Sequence, residues 1–195
     1  MHRRTIANLA VATIMAMVYA FVATGSTRAQ DQPDTEKESA AELLGPLTRD
    51  EIESANPDWI QFQIDSKPDL EVADALVTAL YGAEVTVFMG TWCSDSRREL
   101  SRLWRALDDL GVAETPQISY IGVDRSKSEP HEYVDGVDLR LVPTFVVRRD
   151  GEEIGRIVEQ PPEDIETDLL AVLRGEKTGT LSTNDEAFGE IQVED

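Results

Sequence analysis

Cys93 is the one cysteine in a chain of 195 residues, and it stands in the run Gly90-Thr91-Trp92-Cys93-Ser94-Asp95-Ser96. A cysteine becomes a nucleophile as its thiolate. The run lies between an apolar stretch and an amphipathic one, so the sulfur is expected at the first turn of a helix. There, unpaired N–H groups and the positive end of the helix dipole favour an anion. The Ser96 hydroxyl, one turn on, would be within reach of that sulfur as a donor. A lone cysteine is more often a small buried apolar residue. Polar neighbours and an N-terminal export signal weigh toward a reactive thiol instead. One cysteine excludes an internal disulfide, and with two histidines it excludes a zinc site built from Cys and His. No metal and no cofactor is expected. His131, in a polar loop, reads as a solvated side chain, and acid pairs such as Asp108-Asp109 lack calcium-loop spacing.

The elements around the thiol follow from periodicity. Val85 to Met89 is β-rich and nearly all apolar, as in a strand covered on both faces. Leu100, Leu103, Trp104, Leu107 and Leu110 share one helical face, and Gly111 ends that helix. Ile118 to Val123 reads as a second buried strand, giving a parallel βαβ unit. Asp150-Gly151 between Thr144–Arg148 and Glu153–Val158 predicts a hairpin. Pro161-Pro162 is expected to open a last helix with Ile165, Leu169, Val172 and Leu173 inward. Upstream, Thr48-Arg49-Asp50-Glu51 has capping-box spacing for a short helix to Ala55. Trp59, Ile60, Phe62 and Ile64 alternate as in an extended segment, and Leu70, Ala73, Val77, Leu80 and Tyr81 fall at helical spacing.

In this order and spacing, the strand, Trp92-Cys93-Ser94-Asp95-Ser96, the amphipathic helix, the strand ending at Asp124, Val142-Pro143-Thr144 and the hairpin resemble a thioredoxin-like domain. The resemblance covers residues 69–175. It implies an α/β fold with a central mixed sheet flanked by helices, preceded here by an N-terminal helical extension. It also implies that Pro143 is a cis-proline against the sulfur, that the backbone of Val142 pairs with an incoming peptide, and that Trp92 packs at the docking surface. Ser96 stands where the family has its second active-site cysteine, so a complete dithiol cycle within the chain is ruled out. The family's buried acid falls at Val87. Its glycine after the hairpin falls near Glu159, whose carboxylate, like that of Asp95, would oppose a thiolate.

Two functions remain open on this sequence. One is monothiol thiol–disulfide exchange of isomerase, reductase or deglutathionylation type. Its partners would be protein thiols or disulfides, with glutathione or another external thiol releasing Cys93. The other is a non-enzymatic client-binding or chaperone module in which Cys93 is at most a tether.

Arg3 and Arg4 precede an uncharged, largely apolar run from Thr5 to Thr27, with small residues at Thr27 and Ala29. Residues 1–29 therefore read as a secretory signal peptide, or as an uncleaved anchor of near-spanning length. Either places the remainder outside the cytoplasm, in the periplasm of a Gram-negative host. Residues 30–68 read as a polar linker and short extension, and 176–195 as an acidic tail. The 38 acidic residues outnumber 18 basic ones, for a formal charge of -20. No basic cluster is present, which argues against nucleic acid and against an anionic lipid surface beyond the anchor itself.

Overall fold

The computed structural model describes residues 42–112 and 115–188; residues 1–29, read above as a signal peptide or uncleaved anchor, and residues 30–41 lie outside the described part. Six strands form one mixed sheet in the order β1-β3-β2-β4-β5-β6. They are β1 (Gly45–Leu47), β2 (Ala83–Met89), β3 (Ile118–Gly122), β4 (Thr144–Arg149), β5 (Glu152–Val158) and β6 (Gly179–Leu181). β2 runs parallel to β3 and antiparallel to β4, β4 and β5 are antiparallel, and β6 lies parallel to β5. Helices flank this sheet: α1 (Arg49–Ala55), α2 (Asp58–Asp65), α3 (Leu70–Ala79), α4 (Ser94–Asp109), α5 (His131–Val134) and α6 (Ile165–Leu173). No helix among the described residues is long and apolar enough to cross a membrane.

Strand alternation divides β2 between two cores. Val85, Val87 and Met89 join the larger one with Leu103 and Trp104 of α4 and Leu169 of α6. Phe88 faces the other way, into a smaller cluster with Ile121, Val123, Val134, Val142, Val146 and Cys93. The thiol thus belongs to the side of the sheet covered by α5. At the hairpin, Asp150 and Gly151 have φ of 53° and 83°, the left-handed pair that a tight two-residue turn requires.

Several expectations are corrected. The segment from Trp59 to Ile64 is helical, not extended. Pro57 sits at its start, the Asn56 side chain caps Asp58 N–H at 2.8 Å, and Trp59 packs at 5.4 Å on Trp104. Trp59 is fully buried while Ile60, Phe62 and Ile64 are exposed, so of the apparent alternation only Trp59 faces the core. The short N-terminal extension packs on the sheet: β1 pairs with β3, and Ile52 and Trp59 sit in the larger core. On α3 the inward residues are Ala73 and Leu76, followed by Leu80, whereas Leu70 and Tyr81 are exposed. The last helix starts at Ile165, capped by the Asp164 carboxylate accepting from Thr167 N–H at 2.9 Å; Pro161-Pro162 precede it. Part of the expected acidic tail, 179–181, is the edge strand β6.

Candidate functional site

Cys93 is the N-cap of α4, with φ -89° and ψ 127°. Its backbone N–H donates to Gly90 O at 2.9 Å, and its carbonyl accepts from Arg97 N–H at 3.2 Å, so the turn between β2 and α4 fixes the Cα position. The side chain has two polar contacts. Sγ lies 3.2 Å from Val142 O, a geometry for a donating S–H. Ser96 N–H points at Sγ from 3.5 Å, a geometry that suits an accepting sulfur. The contribution expected of the Ser96 hydroxyl therefore comes from its backbone. That hydroxyl is fully buried and accepts from Gly90 N–H at 3.3 Å, tying the end of β2 to the first turn of α4.

Val142 and Pro143 lead into β4, and the peptide between them is cis. Trp92 is anchored by its indole N–H donating to Val123 O at 3.1 Å, with the Arg125 guanidinium 4.9 Å over its ring. Gly90 permits this: a Cβ there would come within 2.5 Å of the Trp92 ring. Asp95 is ion-paired with Arg98 at 2.6 Å, a cation it shares with Glu99. Glu159 follows β5 with φ 58°, its N–H donates to Pro143 O at 2.7 Å, and its carboxylate accepts from the Asn184 side-chain amide.

A cavity of about 300 Å³ brings together Trp92, Cys93, Asp95, Val142 and Glu159, with Ser94, Leu141 and Lys127. Of the residues singled out from sequence, Ser96 and Pro143 stand behind this lining. A larger cavity of about 620 Å³ is lined by Ser66, Lys67, Arg98, Glu99 and Arg102 among others. Two of its cations are ion-paired, Arg98 with Asp95 and Glu99, and Arg102 with Glu166 and Asp164. The thiol lies in the smaller cavity.

Lys127 and Asn184 escaped the sequence reading. Lys127 sits in a loop built by Asp124, whose carboxylate accepts from the backbone N–H groups of Ser126, Ser128 and Glu129 and from the Ser126 hydroxyl. These bonds, the Ser126 hydroxyl first, hold the Asp124 carboxyl down to about 2. Asp-x-Ser-x-Ser after a strand is a signal for such a loop. Asn184 carries no local signal, because its role depends on β6 returning the chain to the end of β5. Lys127 (φ 59°) and Glu159 are two of only four non-glycine residues with left-handed backbone among the described residues. That conformation costs about 1 kcal/mol where a Cβ is present, and such costs concentrate at functional sites.

No protein-family model matches the chain, and no curated protein matches it. Among solved structures, the crystal structure of a protein of unknown function from Pseudomonas aeruginosa is similar at 20% identity. The match covers 62% of this chain and 84% of that one, with a TM-score of 0.42.

Proposed function

We propose that this protein is an exported, thioredoxin-like thiol–disulfide exchange protein that works through the single thiol of Cys93. The observation that carries the reading is the placement of Sγ at the head of α4, between Ser96 N–H and the carbonyl of Val142. The order β2–α4–β3 followed by β4–β5–α6, with Pro143 immediately before β4, supports the thioredoxin-like assignment. The N-terminal run of residues 1–29 supports export, to the periplasm in a Gram-negative host.

In the reaction, the Cys93 thiolate attacks one sulfur of a partner disulfide. A new S–S bond forms to Cys93, the partner's own S–S bond breaks, and its second sulfur leaves as a thiolate that takes a proton from solvent. Ser96 N–H points at the attacking sulfur, and Val142 and Trp92 border the approach. With Ser96 in place of a resolving cysteine, the mixed disulfide persists until glutathione, another small thiol or a second client thiol attacks it. Electrons are conserved at each step, so isomerisation and deglutathionylation need no cofactor. The test is intact-mass analysis of the purified chain after incubation with glutathione disulfide. The wild type should gain one glutathionyl adduct, removed by dithiothreitol, and Cys93→Ala none; an unmodified wild type would refute exchange and leave the client-binding module as the reading.

A further inference from the structure

The cavity at Cys93 carries opposite charges on opposite walls. β2, β3 and β5 point the same way in the sheet, so their C-terminal ends share one edge. Within the order β1-β3-β2-β4-β5-β6, Lys127 follows β3 on one side of β2 and β4, and Glu159 follows β5 on the other. Cys93, after β2, and Val142, before β4, lie between them. Each charge sits on a constrained backbone. Lys127 is carried by the Asp124 loop: its backbone N–H donates to Asp124 O at 3.0 Å and its ammonium to the carbonyl of Arg125 at 3.2 Å. Glu159 is held at Pro143 O by its own N–H and at its carboxylate by the neutral amide of Asn184. The brace behind Asn184 is continuous: Asn184 N–H donates to the Ser182 hydroxyl at 3.0 Å, that hydroxyl donates to Val158 O at 2.7 Å, and Thr183 N–H donates to Gln160 O at 3.0 Å. Asp95, the third charge at the cavity, is ion-paired with Arg98, which also pairs with Glu99.

From this geometry we infer that the Cys93 groove selects its disulfide partners by charge: Glu159, positioned by Asn184, receives a cationic group on the β5 side of the target sulfur, and Lys127 receives an anionic group on the β3 side. The inference deepens the exchange reading and rests on it. The favoured substrate class is a disulfide flanked by a base on one side and an acid on the other.

Three small disulfides separate the two walls: cystamine as the dication, dithiodipropionate as the dianion and bis-hydroxyethyl disulfide as the neutral reference. Second-order rates of adduct formation at Cys93 are measured for the full chain and its variants. Each charged rate is divided by the neutral rate of the same variant, so that general changes in thiol reactivity cancel. Glu159→Gln should lower the cystamine ratio by about threefold, the effect of a unit charge about 6 Å away in water-like surroundings, and Asn184→Ala should lower it in the same direction. Lys127→Gln should lower the dithiodipropionate ratio instead. High salt should shrink each difference. If the three variants keep the wild-type ratios, charge selection is overturned while exchange stands. If the wild type reacts with none of the three probes, the exchange reading falls and this inference with it.

Discussion

Asp124 shows how one carboxylate organises a loop at the edge of the site. Its hydrogen bonds to Ser126, Ser128 and Glu129 act on the ionised form, so its folded value is held at about 2, below the ordinary aspartate range. A depressed acid contributes stability that is fully present above the unfolded value near 4 and is lost as pH falls through the folded value near 2. Carboxyl NMR titration should therefore place the Asp124 midpoint near 2, whereas a midpoint near 4 would mean the loop is not held this way. Lys127 in the same loop is expected to cost stability through its left-handed backbone. Lys127→Gly should raise the unfolding free energy by up to about 1 kcal/mol in urea titration; a clear loss would show that its side chain stabilises the fold. At this scale Cys93, Ser96 and Glu159 were legible from the sequence as positions. The change of the Ser96 contribution from hydroxyl to backbone was not, because a helix's first turn turns the serine side chain back toward Gly90.

Elements joined by short turns could be read from the sequence, and those fixed by distant contacts could not. The capping box at Thr48, the run into α4 and the Asp150-Gly151 hairpin are local, and each forms where its residues indicate. α2 failed because Trp59, Ile60, Phe62 and Ile64 suit two periods. The choice is made by Trp59 docking on Trp104, with the Ser101 hydroxyl donating to Trp59 O at 3.1 Å. Trp59→Ala should cost about 3–5 kcal/mol in chemical denaturation, the range for emptying a buried aromatic site. A loss below 1 kcal/mol would contradict the placement of α2 against α4. β6 was hidden for a similar reason: Gly179–Leu181 has little strand character of its own and is specified by the exposed edge of β5.

Over the whole chain, 38 acidic residues against 18 basic ones set a negative field through which any partner must pass. Such a field slows anionic partners and speeds cationic ones, and salt screens it. Raising ionic strength should therefore accelerate the reaction of Cys93 with dithiodipropionate and slow that with cystamine. Stopped-flow rates that ignore salt would argue against long-range steering. Charge is a property of composition and is fully visible in the sequence, whereas the two-walled cavity needs the sheet order. The central claim is that Cys93 forms mixed disulfides with exported proteins, and acid-quenched, non-reducing gels of the host's envelope test it most directly. The account predicts reductant-sensitive heavier species in the wild type that vanish in Cys93→Ala; a wild-type Cys93 that stays reduced, with only monomer in either strain, would contradict it.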